Sequence, residues 1–163
     1  QIIDGGNSTI GIESTIIDCT RDQPTILRNG AVIKEDIEVE LGIRCRENNE
    51  YSNIKFSGSF EKHYAPKCKV LIDSKAIAGA GFLALSDVET PSGMVRLASP
   101  KTTEDFARIL YSTFRAADQT GLVSMVVSEP KGEGLSVAIR ERLGIGVARC
   151  CLVHSVMHRA DLQ

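Results

Sequence analysis

Three short apolar runs, Lys69-Val70-Leu71-Ile72, Gly81-Phe82-Leu83-Ala84-Leu85 and Leu122-Val123-Ser124-Met125-Val126-Val127, constrain this chain most. Such runs predict strands buried in a parallel or mixed sheet, and not the alternating strands of a sheet with one solvated face. Parallel strands need long connections, usually helical. One is legible between residues 103 and 119, where Phe106, Ile109, Leu110, Phe114 and Ala117 line a single face. Thr102 or Thr103 can cap it, Glu104 and Asp105 suit its positive end, and Gly121 suits its stop. A second helix is predicted from Leu135 to Leu143. Strands alternating with helices from residue 67 onward predict a small α/β layer domain.

The residues before it form a different unit. Ser14 to Asp18 and Thr25 to Arg28 are β-rich runs separated by the turn formers Thr20-Arg21-Asp22-Gln23-Pro24. Asn29-Gly30 signals a turn, and Ile37 and Leu41 predict a short helix over residues 34–41 ending near Gly42. Residues 44–59 show no period, which reads as a linker. The expected division is therefore 1–44, a linker over 45–66, and a second domain over 67–163. The opening Ile2-Ile3-Asp4-Gly5-Gly6 reads as the end of a strand, so the first unit is expected to continue upstream of Gln1.

Composition narrows the function. With 19 Lys and Arg against 21 Asp and Glu, the net charge of −2 offers no global field for a polyanion. Aromatics make up 5% and Trp is absent, so no stacking platform for single-stranded bases stands out. Direct tRNA binding is not expected. The five cysteines are odd in number and irregularly spaced, which fits a reducing cytosol better than a disulfide framework. No membrane-span run and no signal-peptide pattern is present in the sequence. A cytoplasmic protein is expected.

Two segments could carry chemistry. Gly11-Ile12-Glu13-Ser14-Thr15-Ile16-Ile17-Asp18 brings a hydroxyl pair to the start of a strand, and Thr25-Ile26-Leu27-Arg28-Asn29-Gly30 ends a neighbouring strand on an arginine. Hydroxyls can hold a small polar substrate, and a guanidinium fork can grip phosphate or carboxylate. On residue type alone, a turn or edge pair and a solvated surface charge are the commoner explanation of such residues.

The wording of the strings goes further. Ile-Glu-Ser-Thr-Ile-Ile-Asp followed by Ile-Leu-Arg-x-Gly resembles the closing motifs of the YrdC-like catalytic domain of threonylcarbamoyl-AMP synthases. Ser57-Gly58-Ser59-Phe60-Glu61-Lys62-His63-Tyr64-Ala65-Pro66 looks like that family's linker. Val95-Arg96-Leu97-Ala98, the helix with Ala107-Arg108-Ile109-Leu110-Tyr111, and Gly134 to Leu143 resemble the accessory domain of its two-domain members. Residues 144–163 carry no such resemblance.

The resemblance implies an α/β protein: the C-terminal end of a YrdC-like domain, a linker, and a small Rossmann-like three-layer α/β domain. It implies a nucleotidyltransferase that joins L-threonine, bicarbonate and ATP into threonylcarbamoyl-adenylate and pyrophosphate, with Mg²⁺ beside the phosphates, for threonylcarbamoyladenosine in tRNA. By the same resemblance, Ser14 contacts threonine and Arg28 contacts ATP, while His63 and Tyr64 fold over the nucleotide cavity. Other tRNA-modification proteins are the expected partners. The basic residues of the site are expected upstream of Gln1, so this chain holds only part of it.

Asn29 replaces the proline common after this arginine, which should loosen the turn. Glu61 stands where some members have Tyr. The alternative reading is a non-catalytic nucleotide- or partner-binding module of the same machinery. Asp4-Gly5-Gly6-Asn7-Ser8 and Gly132-Glu133-Gly134 lack the spacing of phosphate loops and read as turns. Ala78-Gly79-Ala80-Gly81 reads as a point where backbone approaches closely in the second domain. Cys150 and Cys151 with His154 and His158 are read as part of a terminal helix, since adjacent cysteines do not easily share one tetrahedral zinc.

Overall fold

Residues 1–3, 5–6, 8–47 and 66–144 are described by the computed structural model, and their strands fall into two sheets. In the first, β1 (Ile16–Asp18) runs antiparallel to β2 (Thr25–Arg28), which runs parallel to β3 (Arg46–Glu47). The turn after β1 is held by the Asp18 carboxylate, which accepts from the Thr20 N–H at 2.9 Å and the Thr20 hydroxyl at 2.7 Å. Helix α1 (Lys34–Leu41) follows and ends at Gly42. Its one buried side chain, Ile37, joins Ile26 and Cys45 in a small core with Ile17 packed against it.

β3 lies in the stretch that reads as linker. Its residues show no apolar pattern because they are held by polar contacts. The Arg46 N–H donates to the Pro24 carbonyl at 2.8 Å, Arg46 Nε donates to Gln23 Oε1 at 2.7 Å, and Lys34 Nζ reaches Glu47 Oε1 at 2.8 Å.

The second sheet comprises β4 (Lys69–Ile72), β5 (Gly81–Leu83), β6 (Val95–Ala98) and β7 (Ser124–Val127), ordered β4-β7-β5-β6 with every neighbour parallel. The register sets Ile72, Val127 and Leu83 abreast on one face and Leu71, Val126 and Phe82 abreast on the other. This alternation explains the continuous apolar runs: both faces are covered.

On the first face, Val70, Leu83, Met125 and Val127 pack against α2 (Thr103–Gln119) through Phe106, Leu110, Phe114 and Ala117. Helical residues 135–144 add Ile139 and Leu143 to the same core. Thr102 caps α2, its hydroxyl accepting from the Asp105 N–H at 3.1 Å, and Gly121 follows the last turn with φ 70°. The unit is thus a Rossmann-like α/β domain. Both helices of this unit lie on one face of its sheet, and among the described residues no helix lies on the other. The other face carries a smaller cluster of Phe82, Ala84 and Val126, with Leu71 and Met94 beside it.

β6 shows no apolar run because Arg96 sits inside it. The Arg96 guanidinium donates to the carbonyls of Ala98 (2.7 Å), Val88 (2.8 Å), Ala84 (2.8 Å) and Leu85 (2.7 Å), and lies 5.3 Å from the centre of the Phe82 ring. One side chain thereby ties the loop after β5 to the sheet. A lysine has the charge but not the planar fork. Arg96→Lys is expected to lower the unfolding free energy by about 2–4 kcal/mol, from several lost charge-assisted bonds. Urea denaturation checks this, and an unchanged midpoint would show that the loop holds itself.

Candidate functional site

Ser14 and Arg28 meet. The register pairs Ile16 with Arg28, so the residues just ahead of β1 run alongside those just after β2. Arg28 Nε donates to the Ser14 carbonyl at 2.9 Å, and Arg28 Nη2 lies 3.1 Å from the Ser14 hydroxyl oxygen. Ser14 is exposed whereas Arg28 is only 8% exposed, which makes the serine the presented group and the arginine its backing. Burial first, and then the nearby Arg142 cation, lower the Arg28 pKa, while Glu13 and Tyr111 oppose them. The guanidinium stays charged at any ordinary pH.

Gly30 makes this approach possible. A Cβ at Gly30 would stand 2.4 Å from the Glu13 carbonyl oxygen, 2.4 Å from the Thr15 nitrogen and 2.5 Å from the Ser14 carbonyl carbon. The Thr15 hydroxyl closes the other side by donating to the Val32 carbonyl at 2.6 Å.

The second domain grips the residues next to the pair. The Tyr111 hydroxyl, on α2, donates to the Glu13 carboxylate, whose oxygens lie 2.9 and 3.0 Å away. Arg142 Nε lies 3.6 Å from Glu13 Oε2 and, among the described residues, has no hydrogen-bond partner although it is buried. Glu141 accepts from both the N–H and the side-chain amide of Asn29, at 3.2 and 2.6 Å. Asn29 is thus held fast in the position where a looser turn is expected from the missing proline. Arg108 Nε adds a bond to the Thr9 carbonyl at 3.0 Å.

Glu13, Tyr111, Glu141 and Arg142 stand inside the quoted strings, yet residue type and spacing gave them no role. Their meeting is between elements about a hundred or more residues apart in sequence, 98 for Tyr111 with Glu13 and 112 for Glu141 with Asn29. The one available signal was a tyrosine beside the apolar face of α2.

His63 and Tyr64 lie outside the described residues, as do Cys150, Cys151, His154 and His158. A cleft of about 380 Å³ opens between the two units, bordered by Ile10, Ile33, Asp36, Glu104 and Arg108. It includes neither Ser14 nor Arg28. Two acids against one arginine make it a poor seat for a polyphosphate. Among the described residues no cluster of three His, Cys, Asp or Glu side chains stands where a metal ion would be held, and no helix is long and apolar enough to cross a membrane.

Residues 31–144 match the family described as "Threonylcarbamoyl-AMP synthase, C-terminal domain". The chain belongs to that family. The Threonylcarbamoyl-AMP synthase of Pyrococcus abyssi is 28% identical over 165 aligned residues, covering 87% of this chain. That of Bacillus subtilis is 39% identical over 74 residues, covering 44% of this chain and 21% of its own length. The crystal structure of Pyrococcus abyssi Sua5 complexed with L-threonine superposes with a TM-score of 0.70 at 26% identity, over 90% of this chain. A variant of that protein with an adjacent histidine and tyrosine changed to alanine superposes at 0.64 and 25% identity, over 90% of this chain and 48% of its own. The chain spans about half the length of the Pyrococcus relative, 47% by sequence and 49% by structure.

The geometry around Gly30 makes a direct prediction. Gly30→Ala is expected to cost about 1–3 kcal/mol through overpacking against the Ser14 backbone. It should also shift the amide resonances of residues 13–15. Gly5→Ala, where a Cβ would meet nothing within 4 Å, is the control. Equal behaviour of the two variants would mean that the close approach is not held in solution.

Proposed function

We propose that this chain is the C-terminal part of an enzyme that makes threonylcarbamoyl-adenylate and pyrophosphate from L-threonine, bicarbonate and ATP, the activated intermediate for threonylcarbamoyladenosine in tRNA. The observation that carries the reading is the Ser14–Arg28 contact, set in a chain whose family is that of the threonylcarbamoyl-AMP synthases. Its support from a relative is that the Pyrococcus structure was solved with L-threonine bound.

In this reading the threonine nitrogen takes up bicarbonate with loss of water, giving a carbamate. A carbamate oxygen then attacks the α-phosphorus of ATP, the bond from that phosphorus to the bridging oxygen breaks, and pyrophosphate leaves. Little covalent help from the protein is required. What matters is holding the carbamate in line and neutralising the phosphates in a site that excludes water.

Ser14, exposed and fixed through both its carbonyl and its hydroxyl, suits the holding of threonine. Arg28 suits the supply of fixed positive charge toward ATP from behind that serine. Mg²⁺, if brought in by the ATP phosphates, would supply charge neutralisation on the leaving pyrophosphate. His63 and Tyr64 are assigned to the nucleotide, in this proposal, on the linker motif alone. Other tRNA-modification proteins remain the proposed recipients of the product.

Pyrophosphate release tests the reading. With a complete YrdC-like domain supplied to this chain, release should require ATP, L-threonine and bicarbonate together. Arg28→Ala should cut it on the order of a hundredfold, the scale set by loss of a positioned charge in a catalytic site. A folded, complete protein that releases no pyrophosphate overturns the synthase reading in favour of a binding module.

A further inference from the structure

The two residues that touch in the proposed site are each flanked by one that the accessory domain holds. Glu13 precedes Ser14 and takes the Tyr111 hydroxyl at 2.9 Å, with Arg142 Nε at 3.6 Å. Asn29 follows Arg28 and gives Glu141 two donors, at 3.2 and 2.6 Å. Tyr111 comes from α2, and Glu141 and Arg142 are consecutive in helical residues 135–144, so two rigid elements reach the pair from one direction. The Arg142 side chain is 9% exposed and that of Glu13 26%. Bonds in so sheltered a place keep more of their directional strength than surface pairs do.

We propose that Tyr111, Glu141 and Arg142 are positioning residues, through which the accessory domain fixes the Ser14–Arg28 pair in its substrate-holding geometry. The inference rests on the reading of Ser14 and Arg28 given above. It assigns the accessory domain a part in the chemistry without any contact between that domain and the substrates. Rotation of either residue in the pair requires its flanking residue to move, and each flanking residue is tied by side-chain bonds to a helix that packs in the main core through Leu110 and Phe114 or through Ile139 and Leu143. Glu13 cannot leave without stranding the Arg142 cation in a buried site, which makes departure costly. Asn29 cannot turn without giving up two donors to one carboxylate.

The Arg28 Nε–H group reports the geometry directly, because its bond to the Ser14 carbonyl slows exchange with water and sets its resonance. In this chain labelled with ¹⁵N-arginine, Tyr111→Phe, Glu141→Ala and Asn29→Ala should each move that resonance and quicken its exchange. The amide resonances of β4, β5 and β7 should stay in place. Glu141→Gln, which keeps one carbonyl oxygen as acceptor, should retain part of the protection. Asn29→Ala combined with Glu141→Ala should do no more than Glu141→Ala alone, which already removes both bonds.

An Arg28 resonance unchanged in all three variants overturns the proposal. Should Glu141→Ala fail to fold, Asn29→Ala removes the shorter of the two bonds from the opposite side and Tyr111→Phe removes a single oxygen, so those two decide. In the protein with a complete catalytic domain, kcat/KM for L-threonine should fall on the order of tenfold to a hundredfold in Tyr111→Phe, as expected from small misplacements of a binding group. A moved Arg28 resonance with unchanged turnover supports the positioning contacts and overturns instead the assignment of Ser14 and Arg28 to the substrates.

Discussion

The Glu13 carboxylate is the interaction on which the arrangement of this chain depends. It stands between the Tyr111 hydroxyl and the Arg142 guanidinium, one residue ahead of Ser14. A cation as sheltered as Arg142 is tolerated only where a counter-charge is at hand. Glu13 is that counter-charge, and it belongs to the other unit. Apolar contact, such as Ile12 against the main core, is non-directional and does not by itself fix a register. A charge that must meet its partner permits one register. Such a pair is weak evidence for net stability, and fixing register is its best attested use.

That register is prepared by the second sheet. Parallel order β4-β7-β5-β6 places Val70, Met125, Leu83 and Val127 on one face, and both described helices bury their apolar sides there. Once Phe106, Leu110, Phe114 and Ala117 have taken the inner face of α2, Tyr111 is left half-buried at its flank, its ring edge-on to Phe114 with centroids 6.3 Å apart. Burial of Ile139 and Leu143 likewise leaves Glu141 and Arg142 on the flank of their helix. The polar contacts to the first unit are thus a consequence of where the core residues fall along two helices. Gly11 lets the incoming chain lie against α2: a Cβ there would stand 2.3 Å from the Arg108 Cα. The segment that carries Glu13 can then pass directly over the helix.

Much of this was legible in the sequence. The apolar runs announce β4, β5 and β7, the helical period and Thr102 announce α2, and turn residues frame β1 and β2. β6 and β3 were not legible, for different reasons. Arg96 interrupts the first of them because its guanidinium serves the loop carbonyls of Ala84, Leu85 and Val88, and a charged residue in a strand breaks the apolar pattern. Arg46–Glu47 is held by backbone pairing to β2 and by Gln23 and Lys34, and such polar pairing leaves no periodic trace. Ser14 and Arg28 were singled out from motif wording, but their contact follows from a strand register, and the reach of Tyr111, Glu141 and Arg142 follows from docking between distant segments. Neither is written in local composition. At Ala78-Gly79-Ala80-Gly81 the close neighbour is a side chain and not backbone: a Cβ at Gly81 would stand 2.7 Å from Leu97 Cδ1, and one at Gly79 would meet nothing within 4 Å.

Asn29 shows how a local departure can be offset at long range. By resemblance, a proline is the common residue after this arginine, and a proline stiffens the chain covalently by fixing its own φ. It also lacks an N–H, so it could make neither of the two bonds that Asn29 gives to Glu141. Asparagine gives up the covalent restraint, which raises the conformational entropy of the unfolded chain. In return it gains two donors to a carboxylate held on a helix of the second domain. Stiffness after Arg28 is kept, but its source moves from the residue itself to the contact between domains. The orientation of Arg28, and of Ser14 with it, is then conditional on that domain being folded and in place. In a chain with proline at this position it would be set locally.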